Sequence, residues 1–327
     1  MIVYTAIQPT GNITLGNYIG SLKNFDQSLE GANCAYLSVA DLHSITVVQD
    51  PKVLSENIKQ LLCIFFALGL DKKATIFVQS DVSAHTELTW PLLTITKMGE
   101  LERMTQYKDK SQKTDNAVGL FTYPVLMASD ILLYNTTHVP VGIDQKQHLE
   151  LTRDLAMRFN SMYKKDVFVI PKPVIKERGA KIYSLTDPTK KMSKSDENPK
   201  SYITLFDDAK TIEKKIKSAT TDSVGEINFD FENQPGVSNL LVIYAELNNK
   251  KVEDIMDEFK GQNYGFLKQE VAKCIIDHLA PIQEQIKYYY ENFNIIEDYL
   301  KENTPKVEKI ANKKVKEVLT TMGIKGE

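Results

Sequence analysis

The chain predicts an α/β fold, a doubly wound parallel sheet followed by a second, smaller all-helical domain. Its 327 residues exceed what one hydrophobic core usually supports, so one large domain and a smaller companion are expected. The first half alternates short β-rich runs with longer helical patterns, which implies a parallel sheet with helices on both faces. After about Asp187 the patterns become mainly helical.

Ile2–Ile7 reads as the first strand. A glycine-punctuated turn and a helix from about Gly16 to Leu29 follow, and Cys34–Ala40 reads as the second strand. Asp50 then caps a helix with Pro51 at its first position, and Gly69 stands where a C-terminal glycine belongs. The apolar run Leu61–Leu70 lies in that helix. It is half the roughly 20 residues a membrane span needs, so it reads as buried. Thr75–Gln79 is a third strand and His138–Val141 a fourth. Ligands of such sheets bind beyond the carboxyl ends of the strands, which directs attention to the turns after Ile7, Ala40, Gln79 and Val141.

Residues 1–187 are expected to form the large domain, 188–199 a connecting lysine-serine loop, 200–293 the helical domain, and 294–327 a terminal helix packing back on the large domain. That last helix is expected to start with Thr304 as cap and Pro305 as first residue, and to end at Gly323. Its apolar stripe is Val307, Ala311, Val315, Val318, Leu319 and Met322. The polar stretch Asp109–Asn116 lacks periodicity and reads as a mobile loop, with or without a ligand contact.

Apolar residues make up 42% and charged residues 25%, the values of an ordinary soluble globular protein. A net charge of −3 argues against a protein that coats polyanions, although a local basic face can still bind phosphates. Cys34, Cys63 and Cys274 are far apart, without a C-x-x-C pair for zinc or a disulfide framework, so a cytoplasmic, reducing setting is expected. Met1-Ile2-Val3-Tyr4 has no basic leader before a long apolar run, and no signal peptide is expected. Only four of the 40 basic residues are arginine, so phosphate contacts must come mostly from lysine.

Neither G-x-x-x-x-G-K-[ST] nor G-x-G-x-x-G is present. The first strand is followed by Gln8-Pro9-Thr10-Gly11-Asn12-Ile13-Thr14-Leu15-Gly16-Asn17, where glycine permits close backbone approach and a helix N-terminus favours phosphate. Alone, such a turn is as well read as a plain connection. Further on, Lys190-Lys191-Met192-Ser193-Lys194-Ser195 sets ammonium groups around small hydroxyls. It reads either as a solvated basic loop or as a clamp that follows a leaving pyrophosphate.

Taken together, the two segments resemble the paired motifs of the class I aminoacyl-tRNA synthetases. Thr14-Leu15-Gly16-Asn17 stands for the H-I-G-H element, and Lys191-Met192-Ser193-Lys194-Ser195 matches K-M-S-K-S letter for letter. Further segments are similar to the bacterial tryptophanyl branch: Gln8–Gly11, Gly16–Gly20, Gly99–Met104, Tyr123–Tyr134, Pro140–Asn160 and Asp187–Pro199. The resemblance implies a Rossmann-like catalytic domain, ATP as substrate with Mg2+ carried on its phosphates and no tightly bound protein metal site, L-tryptophan and tRNA(Trp) as partners, and a homodimer without membrane attachment. The apolar stretch Trp90–Met104 is a candidate interface.

The resemblance also assigns residues. Lys191, Lys194, Ser193 and Ser195 become catalytic. Gln8, Pro9, Thr10, Thr14, Gly16, Asn17, Gly142, Ile143, Asp144, Ile182 and Met192 join them as ATP contacts. Asp130, Met127, Tyr123, Gln145, Tyr4 and His43 become tryptophan contacts. Asp130 also has an independent chemical argument. A carboxylate in the apolar helix Met127–Tyr134 is costly to bury unless something donates to it, and an indole offers one N–H and no acceptor. A solvated edge or a lysine partner would account for Asp130 equally well.

Asp144 with Gln147 reads as a capping box, a ribose contact, or both. His43 reads as a pocket or a structural residue, and His148 as packing or surface. Ile143 departs from the family's common acidic residue, and Tyr4 from its common phenylalanine. Lys210, Lys214, Lys215 and Lys217 are a basic candidate for RNA or simply a solvated face.

Overall fold

The β-branched residues and tyrosine of Ile2–Ile7 form strand β1, which pairs in parallel with β2 (Cys34–Val39) from Ile2–Cys34 through Ile7–Val39. The computed structural model describes residues 1–11, 13–23, 25, 29, 31–104, 117–142, 145–175, 181–194 and 196–324. Strands β3 (Thr75–Val78), β4 (His138–Val141) and β5 (Lys172–Ile175) complete a five-stranded parallel sheet of order β3-β2-β1-β4-β5. The order reverses beside β1. Right-handed crossovers then run to opposite sides and cover both faces with helices, the doubly wound arrangement. Strand β5 was not expected. Its Pro173 argues against a strand, but β5 is an edge, where a missing N–H is tolerated.

The helices are α1 (Leu15–Asn17), α2 (Asp41–Ser44), α3 (Pro51–Ala67), α4 (Ala84–Ile95), α5 (Met98–Glu102), α6 (Val118–Leu132), α7 (Lys146–Tyr163), α8 (Ala209–Lys217), α9 (Pro235–Leu247), α10 (Val252–Phe259), α11 (Tyr264–Glu291) and α12 (Asn294–Thr321). In α3 the expected signals operate. The Asp50 carboxylate accepts from the amides of Lys52 and Val53, and Gly69 takes a left-handed φ of 66°. Leu61–Phe66 are buried.

One expected helix is described only in part, and another starts elsewhere than expected. The helix expected from about Gly16 to Leu29 begins with the single turn α1 and continues as a π-helical turn at Tyr18–Leu22, and residues 24 and 26–28 of its remainder lie outside the described residues. At the other end, Thr304 and Pro305 lie inside α12, which begins eleven residues earlier than expected. Ile296 is fully buried, the Tyr299 ring packs edge-on against Phe66, and the Tyr299 hydroxyl accepts from the Ile76 amide. Packing of the segment before Pro305 outweighs the roughly 3 kcal/mol that proline costs in a helix interior.

The chain divides into two compact units. The first comprises Met1–Thr10, Ser28–Lys176 and Tyr289–Glu327, the second Gly11–Gln27 and Glu177–Tyr288. This division departs from the expected boundary at 187, because the glycine turn groups with the lysine loop and the helices that follow it. The physical ties are local to the second unit: the Leu15 amide donates to the Ile203 carbonyl and the Leu205 amide to the Ile13 carbonyl. In the first unit one core joins Phe77 of β3, Leu88 of α4, Ile131 of α6, Leu155 and Phe159 of α7, and Val307, Ala311, Val315 and Val318 of α12. Glu100 of α5 pairs with Arg158 of α7 beside it.

Candidate active site

Helix α6 is apolar almost throughout, and Asp130 near its end is only 1% exposed. Its carboxylate is neither at a solvated edge nor beside a lysine, and it is not unpaired. Oδ1 accepts from Gln79 Nε2 at 2.7 Å and His85 Nδ1 at 2.6 Å, and Oδ2 accepts from His43 Nε2 at 2.8 Å. Burial alone would raise the carboxyl pKa. The hydrogen bonds from His43 and His85 and their charge interactions overcome it and hold Asp130 well below the usual carboxylate range. The buried acid thus has protein donors of its own, and its burial does not by itself require a ligand.

Behind this cluster stands a row of aromatic rings. The Tyr134 hydroxyl lies 2.8 Å from His85 Nε2, and its ring contacts Tyr4, Tyr36 and Phe77. Burial first, then Asp130, pushes the Tyr134 phenol far above its ordinary value, so it keeps its proton. Tyr4, expected among the tryptophan contacts, is a buried core residue whose hydroxyl meets Ser38 Oγ at 2.7 Å. His43 is buried and turns its ring to the edge of Tyr123, with centroids 6.1 Å apart. The Tyr123 hydroxyl in turn reaches His148 Nε2 at 2.8 Å, so His148 is a buried hydrogen-bonding residue. Met127 is partly buried against the same core.

At the ends of β1 and β4, Gln8 and Thr10 are exposed and Pro9 buried, and the Gln145 amide donates to the Gly142 carbonyl at 3.0 Å. Ile143, Asp144, Ser195 and the stretch 105–116, with its polar loop, lie outside the described residues.

The second unit holds the other constellation. The Thr14 side chain accepts from the Asn17 amide, and the Asn17 side chain accepts from the Thr14 amide and hydroxyl, a reciprocal cap. The Asn17 side chain is thus engaged in closing its own turn. Gly16 packs so closely on the lysine loop that an added Cβ would stand 3.4 Å from the Cβ atoms of both Ile182 and Met192. Met192 and Ile182 are buried, and the Met192 amide donates to the Ile182 carbonyl at 2.9 Å. Tyr183 bridges to Lys191 in antiparallel pairing. Asn239 of α9, 2% exposed, clamps the backbone of Tyr183 from both sides at 2.9 and 3.0 Å.

This brace leaves Lys191 and Ser193 exposed and Lys194 half-buried. Burial lowers the Lys194 pKa from its ordinary value. Hydrophobic residues thus anchor the loop between two ammonium groups. On α8, Lys215 is committed to Asp207, whereas Lys210, Lys214 and Lys217 are exposed.

A family model described as tRNA synthetases class I (W and Y) matches residues 1–280. The chain belongs to that family. It is a class I aminoacyl-tRNA synthetase with the Rossmann-like sheet of its class. The chain is 49% identical to a tryptophan–tRNA ligase of Bacillus anthracis over 99% of its length and 98% of the relative's. It is also 49% identical to that of Bacillus subtilis strain 168, over 98% and 97%. Among solved structures, the tryptophanyl-tRNA synthetase of Mycoplasma pneumoniae superposes with a TM-score of 0.86 at 36% identity, covering 99% of this chain and 98% of that one. That of Campylobacter jejuni, in complex with ADP and tryptophan, gives 0.85 at 33% identity, covering 99% and 100%.

Gln79, His85, Tyr134 and Asn239 were not among the expected site residues. Gln79 sits at a strand end already singled out as a ligand position, which was a usable signal. For His85, Tyr134 and Asn239 no local pattern marks the role, because each acts on a residue distant in sequence.

Proposed function

We propose that this chain activates L-tryptophan with ATP and then transfers it to the 3′ end of tRNA(Trp). A carboxylate oxygen of tryptophan attacks the α-phosphorus of ATP, the bond to the β-phosphate oxygen breaks, and pyrophosphate leaves. A ribose hydroxyl of the tRNA end then attacks the carbonyl of tryptophanyl-adenylate, and AMP leaves. No enzyme nucleophile is required, so positioning and charge stabilisation supply the rate.

The observation that carries this reading is the buried, ionised Asp130. Three protein donors occupy three of the roughly four acceptor positions of a carboxylate. One position on Oδ2 remains, which suits the single N–H of an indole. In this reading Met127, Tyr123 and His43 wall the ring, Tyr4 supports it from the core, and Gln145 takes the substrate's amino group. Lys191, Lys194 and the loop serines take the phosphates, while Gln8, Pro9, Thr10, Thr14, Gly16, Asn17, Gly142, Ile143, Asp144, Ile182 and Met192 form the nucleotide surface. Magnesium comes with ATP and is held by phosphate oxygens. Among the described residues no three His, Cys, Asp or Glu side chains are grouped to hold a metal themselves.

The names of the relatives support tryptophan and tRNA as substrates. A homodimer is supported by Trp90 and Met98, which are 71% and 65% exposed. The free thiols of Cys34, Cys63 and Cys274 support a reducing, cytoplasmic setting. No helix among the described residues is long and apolar enough to cross a membrane. ATP–pyrophosphate exchange with tryptophan and tyrosine offered in parallel tests the reading. Exchange with tryptophan is expected. Exchange with neither, or a preference for tyrosine, would overturn it.

A further inference from the structure

His85 is fully buried, and of the three donors to Asp130 it makes the shortest hydrogen bond. An ionised carboxylate only accepts, so His85 must donate from Nδ1. The other nitrogen, Nε2, meets the Tyr134 hydroxyl at 2.8 Å and accepts from it when the ring is neutral. The backbone of His85 is held as well. Its carbonyl accepts from Ser129 Oγ and from Thr89 Oγ1, each at 2.7 Å, and Ser129 is the neighbour of Asp130 in α6. Tyr134 is itself fixed by stacking on Tyr4 and by contact with Tyr36. The row Tyr134–His85–Asp130 is therefore a continuous chain of hydrogen bonds in which each member orients the next.

Together with Gln79, His85 saturates Oδ1 and leaves Oδ2, shared only with His43, as the oxygen with an unused position. We propose that His85, keyed by Tyr134, is a positioning residue for amino-acid specificity: it turns the Asp130 carboxylate so that only Oδ2 can receive the ring N–H of the substrate. The proposal rests on the reading of Asp130 as the acceptor of that N–H. It adds that specificity is set one step behind the residue that makes contact.

The test compares tryptophan with its isostere in which sulfur replaces the ring N–H, using kcat/KM for pyrophosphate exchange. The wild-type enzyme should prefer tryptophan by roughly tenfold to a hundredfold, the size of one hydrogen bond to a charged acceptor. His85→Leu removes the donor and should lower tryptophan turnover far more than turnover of the isostere, reducing that preference to near unity. Tyr134→Phe removes one hydroxyl in place and should reduce the preference by a smaller factor, without abolishing exchange. A purely structural role would lower both substrates alike. An unchanged preference in Tyr134→Phe, or in a folded His85→Leu, would overturn the proposal. If His85→Leu does not fold, Tyr134→Phe alone decides. A wild-type enzyme with no preference would instead sink the indole-acceptor reading of Asp130, so the two failures are distinguishable.

Discussion

Asp130 and the lysine loop both present charge, and the two units handle it in opposite ways. Asp130 is 1% exposed, and Gln79, His85 and His43 converge on it. Lys191 is exposed and Lys194 half-buried, and among the described residues no carboxylate pairs with either ammonium group. A buried charge must be satisfied by the protein before any ligand arrives, because an unpaired one is too costly. Cations left without partners keep their full interaction for a charge that develops only as a bond breaks. On the proposed function, the difference separates recognition, which needs a fixed geometry, from transition-state stabilisation, which needs unspent charge.

The sharpest way to break this comparison is Lys194→Ala. It should reduce the rate of activation by about 3 kcal/mol, or at least a hundredfold, while leaving the KM for tryptophan and the thermal stability nearly unchanged. Parallel pyrophosphate exchange and thermal melts check this, and an equal loss in rate and tryptophan affinity would contradict it.

A smaller effect is expected from acid on the recognition cluster. The folded state holds the Asp130 carboxyl below the usual carboxylate range, so the unfolded state binds its proton more readily. The stability it contributes is present above the ordinary carboxyl value of about 4 and is lost as pH falls below that toward the depressed folded value. Asp130→Ala should weaken this acid-dependent slope and destabilise the chain at neutral pH by about 2 kcal/mol, through donors left without an acceptor. Melting curves from pH 7 to pH 3 measure both. A slope identical to that of the wild type would contradict the burial argument.

The smallest effect sharpens the account of the loop. Asn239→Ala removes two hydrogen bonds to the Tyr183 backbone. It should cost about 1–2 kcal/mol of stability and slow activation several-fold, because Lys191 is bridged to Tyr183 in antiparallel pairing. Stability loss with unchanged turnover would show that the bracing does not reach the lysines.

How much of this was legible depended on the range of each interaction. The Asp50 cap, the Gly69 turn and the four expected strands rest on neighbours within a few residues, and the chain displays them directly. Strand β5 escaped notice because Pro173 contradicts a strand except at an edge, and being an edge is a property of the whole sheet. The start of α12 escaped because Thr304-Pro305 is a sound local start signal that the packing of Ile296 and Tyr299 overrides.

The same division runs through the site. The lysine-serine loop and its glycine turn are contiguous motifs, so sequence alone determined the family and the phosphate chemistry it implies. It also marked Asp130 as a carboxylate that required a donor. Only the tertiary structure decided which donors those are, since Gln79, His85 and His43 stand 51, 45 and 87 residues from Asp130. Hydrogen bonds act over about 3 Å of space and are indifferent to separation along the chain, so the partners of a buried charge emerge only when the fold brings strand ends and helices together.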